Sequence, residues 1–165
     1  MAEVSITQTG FAELQRKFDG ADDVIDLEMR QTMDASLNIF HQLVDPMTPV
    51  FNGHLRAATT EHVFGTPAGG NFWGQLLNPM EYADDVENGR PPGQYSPIFP
   101  LEYWVRRKLG IPFPGSLARA FQISATHKEK GRKGVKMFER AFKQGKPRVE
   151  QLWQGIDERI ARKIE

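Results

Sequence analysis

The chain has 165 residues, of which 39% are hydrophobic and 25% charged, with 21 acidic and 21 basic side chains and no cysteine. A chain of this length suits one domain of about 100–200 residues. The lack of cysteine excludes a disulfide framework, a thiolate metal site and a thiol nucleophile. The neutral total hides a gradient: residues 1–90 hold 14 acidic and 5 basic residues, and residues 91–165 hold 7 and 16.

Residues 1–9 carry no basic stretch followed by an apolar run, so no secretory signal is expected. Val4-Ser5-Ile6-Thr7 alternates apolar and polar residues, the pattern of a short half-buried strand. Phe11, Leu14 and Phe18 then predict a short amphipathic helix, broken by Gly20. Asp22 or Asp23 is a candidate cap for the next helix. Ile25, Met29, Met33, Leu37, Phe40 and Val44 recur at spacings of three and four, a long apolar stripe that Pro46 and Pro49 bring to an end. Ala57-Ala58-Thr59-Thr60-Glu61-His62-Val63-Phe64 reads as a strand. Residues 65–71 hold three glycines and a proline and predict a hairpin loop, and Phe72-Trp73-Gly74-Gln75-Leu76-Leu77 returns as a second strand with a candidate bulge at Gly74.

Residues 88–100 contain four prolines and two glycines and predict an extended arm or loop. Leu101, Trp104, Val105 and Leu109 share a helical face that Gly110 and Pro112 stop. Ser116 is a candidate cap for a helix that turns Leu117, Ala120, Phe121, Ile123 and Ser124 inward. Residues 128–134 read as a charged loop, and Met137, Phe138, Ala141 and Phe142 begin another apolar patch. Pro147 fits the first turn of a last helix with Val149, Leu152, Ile156, Ile160 and Ile164 on one side. No window approaches about 18 consecutive apolar residues, so no membrane helix is expected. The order predicts an α+β fold: one domain over 1–165, with a small antiparallel sheet, a long helix of the N-terminal half packed on it, and further helices in the C-terminal half.

No catalytic constellation stands out. His41, His54, His62 and His127 include no pair at the helical spacing of metal ligands. Glu81, Asp84 and Asp85 lie near a turn without the glycine-spaced pattern of a calcium loop. The glycine-rich run at 65–70 lacks the lysine of a phosphate loop. No enzyme activity, cofactor or metal is therefore expected. Lys128, Lys130, Arg132, Lys133 and Lys136 form a basic run suited to DNA phosphates or to an acidic partner. Few aromatic residues interleave with it, so base stacking is not suggested.

Several segments, taken in order, resemble one family. Thr48-Pro49-Val50-Phe51-Asn52-Gly53-His54-Leu55-Arg56 resembles the T-P-V-x-T-G-x-L-R element after the long helix of tail-completion, or neck, proteins of long-tailed bacteriophages of the lambda-like type. Tyr82-Ala83-Asp84-Asp85-Val86-Glu87-Asn88-Gly89-Arg90-Pro91 resembles that family's Y-A-x-x-V-E-x-G-(T/R)-x-P. Trp104-Val105-Arg106-Arg107-Lys108-Leu109-Gly110-Ile111, with Ala118-Arg119-Ala120-Phe121-Gln122-Ile123 after it, resembles W-V-x-R-K-L-G and the following helix. Gly131-Arg132-Lys133-Gly134 and Phe138-Glu139-Arg140-Ala141-Phe142 are similar to the closing G-x-x-G-x-x-F-F-x-x-A. Phe51-Asn52 departs from the usual Asp-Thr before the glycine, although Asn52-Gly53 still suits a turn.

The resemblance implies a structural virion protein, assembled in the host cytoplasm. Such a protein forms a homo-oligomeric ring, hexameric in this family, at the head-proximal end of the tail and joins tail to head. Its implied partners are itself, head-completion proteins, and tail-terminator or tail-tube proteins. Non-specific contact with phage DNA and a DNA-binding module in the basic half are the alternatives. The matching positions Asn52, Gly53, Leu55, Arg56, Tyr82, Glu87, Gly89, Arg90, Trp104, Arg106, Arg107 and Lys108 become interface or motif candidates, with an Arg56–Glu87 ion pair expected and the arm 88–100 free to reach a neighbouring subunit.

Overall fold

A computed structural model describes residues 21–67 and 71–164. The strand expected at 4–7 and the helix at 11–18 lie outside them. The elements are α1 (Ala21–Met47), α2 (His54–Ala57), β1 (Thr60–Phe64), β2 (Trp73–Leu77), α3 (Ala83–Asn88), β3 (Gly89–Arg90), α4 (Ile98–Leu109), α5 (Gly115–Lys130), β4 (Arg132–Lys133), α6 (Met137–Trp153) and α7 (Ile156–Ile164). The fold is α+β, and 65% of the described residues are helical. Among the described residues no helix is long and apolar enough to cross a membrane.

The chain divides into two compact units, residues 1–43, 60–77 and 143–165 in the first and residues 44–59 and 78–142 in the second. This division mixes the two halves of the charge gradient. The described part of the first unit holds 9 acidic and 7 basic residues, and the second holds 8 and 12, so net charges of −2 and +4 replace the steep acidic-to-basic split.

In the first unit, β1 and β2 form an antiparallel hairpin in unbroken register from Thr60↔Leu77 to Phe64↔Trp73. The expected bulge at Gly74 is absent, because Gly74 pairs regularly with Val63. Its missing side chain makes room for the helix: a Cβ there would lie 2.7 Å from Met33 Sδ and 3.1 Å from Leu37 Cδ1. The stripe of α1 therefore packs on the sheet, and His41 Nδ1 meets Glu61 Oε1 at 2.6 Å beside it. A second stripe of α1 is polar yet buried: Glu28, Thr32 and Ser36, one turn apart. Arg159 donates to Glu28 (3.3 Å) and Thr32 (3.0 Å), Lys163 bonds Glu28, and Trp153 Nε1 donates to Ser36 Oγ (3.1 Å). These bonds satisfy groups whose burial would otherwise be costly.

The last helix differs from expectation. Pro147 lies inside α6, and the chain breaks later, at Gly155 with φ 77°. Tertiary packing overrides the proline signal, since buried Gly145 brings α6 against Phe40, whose ring would lie 2.8 Å from an added Cβ. At the start of α1, Asp22 and Asp23 sit in the first turn, where they still favour the positive end of the helix dipole.

In the second unit α4 and α5 pack on each other. Ser116, Ala120 and Ser124, one turn apart on α5, are fully buried with Val105 of α4. Small side chains at that spacing permit close approach, and Ser116 Oγ donates to Glu102 Oε1 at 2.6 Å. Ser116 is thus an interior contact and not the expected cap, and Phe121 faces outward at 55% exposure. The segment 88–100 is more ordered than its prolines predict: Gly89–Arg90 pairs with Arg132–Lys133, and α4 starts at Ile98. Likewise the charged stretch 128–134 is the end of α5 followed by β4.

Candidate functional site

The second unit contains a half-open cavity of about 830 Å³. Its first wall follows α1. Thr48 ends that helix by returning both its N–H and its hydroxyl to Val44 O, each at 2.9 Å. Gly53 then adopts φ 79°, ψ −10°, which turns the chain into α2, so the strand expected from Ala57 begins only at Thr60. Leu55 is buried by that turn. Asn78 holds the end of α2, its side-chain N–H₂ donating to Leu55 O (2.6 Å) and Thr59 Oγ1 (2.9 Å). Phe51 packs edge-on against Tyr103 of α4, with ring centroids 5.6 Å apart. Together with Leu55, Leu101, Trp104 and Tyr82 these rings make a largely apolar wall.

The other end of the cavity is polar. Arg90 grips Asp85 with two bonds, Nε to Oδ1 at 2.6 Å and Nη2 to Oδ2 at 2.5 Å. That pairing holds the Asp85 carboxyl below its usual range and Arg90 above its own. Arg132 Nη2 donates to the Asp85 carbonyl at 3.1 Å. Ser96 Oγ lies 2.8 Å from His127 Nδ1, and Ser96 O accepts from Ser124 Oγ at 2.8 Å. Gly93 N–H donates to Lys128 O at 2.7 Å, and Lys128 Nζ sits 4.3 Å over the Tyr95 ring. Residues 93–96 are thereby fastened along α5. Burial, then the charge of Arg132, pushes the His127 pKa down, which favours the neutral imidazole. A serine beside a neutral imidazole is half of a nucleophilic pair, but among the described residues no carboxylate bonds the His127 ring.

Glycines set the floor beside this polar end. Gly89 has φ 77° and ψ −171°, and a Cβ there would lie 2.1 Å from Arg132 O. A Cβ on Gly134 would lie 2.1 Å from Glu87 O. Two backbones meet where neither can carry a side chain. The expected Arg56–Glu87 pair does not form. Glu87 instead accepts the N–H groups of Phe138 (3.0 Å) and Glu139 (3.1 Å), capping α6 where helix N–H groups have no partner of their own. Arg56 Nε is buried without a hydrogen-bond partner.

No protein family, curated protein or solved structure matches this chain. The geometry therefore stands on its own. Of the residues singled out from the sequence, Asn52, Gly53, Leu55, Tyr82, Arg90, Trp104 and Arg132 line the cavity. Arg106, Arg107 and Lys108 are exposed in the last turn of α4, with Arg106 on Glu102 at 3.3 Å and Arg107 on the Tyr103 hydroxyl at 2.9 Å. The basic run is partly engaged by its own unit: Lys136 donates to Asn88 Oδ1 at 2.7 Å, while Lys130 and Lys133 are exposed. His127 was weighed from the sequence only as a metal ligand and Phe51 only as a departure from the motif, while Ser96 and Tyr103 carried no signal.

Proposed function

We propose that this chain is a structural subunit of a tailed-phage neck, one that completes the tail at its head-proximal end and joins it to the head as a ring. The observation that carries this reading is the meeting of the resembling segments. Asn52, Gly53 and Leu55 come from the first, Tyr82 and Arg90 from the second, Trp104 from the third and Arg132 from the closing one, and all border one cavity. Motifs spread over 80 residues of the chain, from Asn52 to Arg132, have reason to occur together when they build one surface.

Exposed aromatic side chains support an assembly role over a catalytic one. Phe99 is 82% exposed and Phe113 is 67% exposed, rings open to contact with a neighbouring subunit. The partners in this reading are other copies of the chain and the adjacent head-completion and tail-terminator or tail-tube proteins. The basic run supports a DNA-binding role less well, since Lys128, Arg132 and Lys136 already hold their own unit.

Immunogold labelling of purified virions, together with mass photometry of the isolated protein across a salt series, tests the reading. Label at the head–tail junction and a ring-sized species are the expected results. Label on the capsid or distal tail, or a protein absent from virions, would sink it.

A further inference from the structure

We propose that the cavity of the second unit is a docking site for a partner-protein segment in which an aromatic or branched aliphatic side chain stands next to a carboxylate. The inference rests on the neck-subunit reading only for the partner being a protein. The chemistry comes from the cavity itself. At about 830 Å³ it falls in the range of roughly 300–1,000 Å³ that holds ligand groups. Phe51, Tyr103, Trp104 and Leu101 offer an apolar berth, and aromatic rings of this kind anchor partner side chains in many interfaces.

The charge complementarity lies at the opposite end. Asp85, Arg90, Arg132, Glu81, His54 and His127 border the cavity as its acidic, basic and histidine side chains, beside the phenols of Tyr82 and Tyr103. Both oxygens of Asp85 are taken by Arg90. Glu81 makes no recorded bond to either arginine. Arg132 therefore faces the cavity with only a backbone carbonyl as acceptor, and among the described residues no carboxylate lies within ion-pair distance of it. His127 beside it is discouraged from binding a proton. The charge of Arg132, which no neighbouring carboxylate pairs within the described residues, is what favours an anion there. A carboxylate seated there would accept from Arg132 and help His127 to protonate, so binding takes up a proton and strengthens as pH falls toward the ordinary histidine range.

The test titrates the intact protein with three probes, followed by NMR: the peptide acetyl-Gly-Trp-Asp-Gly-amide, its Asn counterpart, and indole-3-propionate. The Asp peptide should bind about tenfold more tightly than the Asn peptide, the ratio expected of one charge-assisted hydrogen bond. Its affinity should fall several-fold from about pH 6 to about pH 8, where histidine loses its proton. Arg132→Gln should abolish the difference between the peptides, His127→Gln should flatten the pH dependence, and Lys146→Gln, an exposed change in the first unit, should change neither. Equal affinity of the two peptides, an equal loss in Lys146→Gln, no binding by any probe, or binding of indole-3-propionate alone would overturn the proposal. If the peptides fail while the protein labels the virion neck, the docking site falls and the neck reading stands. If they bind while the protein is absent from virions, the reverse holds.

Discussion

Gly53 and Gly89 look alike in the sequence, each ending a motif turn, yet the same substitution should affect them very differently. Gly53 sits at φ 79°, ψ −10°, with nothing within 4 Å of an added Cβ. Alanine there meets only the left-handed conformation, at about 1–2 kcal/mol, offset by about 0.4–1 kcal/mol from a less flexible unfolded chain. A net loss near 1 kcal/mol is expected. Gly89 sits at φ 77°, ψ −171°, a region nearly reserved for glycine that costs other residues about 1–3 kcal/mol. Its Cβ would also lie 2.1 Å from Arg132 O and 2.5 Å from Gly134 N, both backbone atoms. Relief requires β3 to part from β4, which forfeits their hydrogen bonds at about 1 kcal/mol each. Gly89→Ala should therefore cost about 3–5 kcal/mol. Asparagine sharpens the contrast: it tolerates the left-handed region, so Gly53→Asn should be near wild type, while Gly89→Asn should be as damaging as alanine. Urea unfolding followed by far-UV circular dichroism, with m compared between variants, measures all four. If Gly89→Ala falls within about 1 kcal/mol of Gly53→Ala, the close approach of the two backbones is wrong.

Three further outcomes follow from single side chains. Glu87→Ala removes the acceptor for two N–H groups of α6 and should cost about 1–2 kcal/mol, with hydrogen exchange accelerated first at the Phe138 and Glu139 amides. The hydrogen bond from Lys163, aided by Arg159 and opposed by burial, holds the Glu28 pKa below its ordinary 4.5. Its contribution is therefore complete above that value and lost as pH falls through the folded pKa, so Glu28→Gln should remove part of the acid limb of a stability–pH curve. The His127 pKa lies below its ordinary 6.5, through burial and then through Arg132. The folded protein thus binds fewer protons than the unfolded chain, stability declines as pH drops below 6.5, and His127→Gln should flatten that limb in thermal melts.

The apolar stripe of α1 and the hairpin were legible because each shows a periodicity that burial imposes over many residues. What escaped was set by partners distant in sequence. Glu28, Thr32 and Ser36 pass unremarked in the sequence, since nothing local announces that Arg159 and Lys163 arrive to satisfy them. Pro147 read as a helix start because a missing N–H costs least there, and the sequence did not show that α6 packs closely on Phe40 beside it, at Gly145. The prolines of 88–100 were taken for an arm, and the bonds from α5 that fasten residues 93–96 left no local trace. In the site, the motif residues were found by resemblance, but Ser96 and His127 carry no spacing signal, because each meets the other across about thirty residues.

The first unit draws its described residues from stretches far apart in the chain, 21–43, 60–67, 71–77 and 143–164, whereas the second ends at residue 142. A cut between residues 142 and 156 would therefore leave every segment of the second unit in place, while taking from the first the two cations that neutralise buried Glu28.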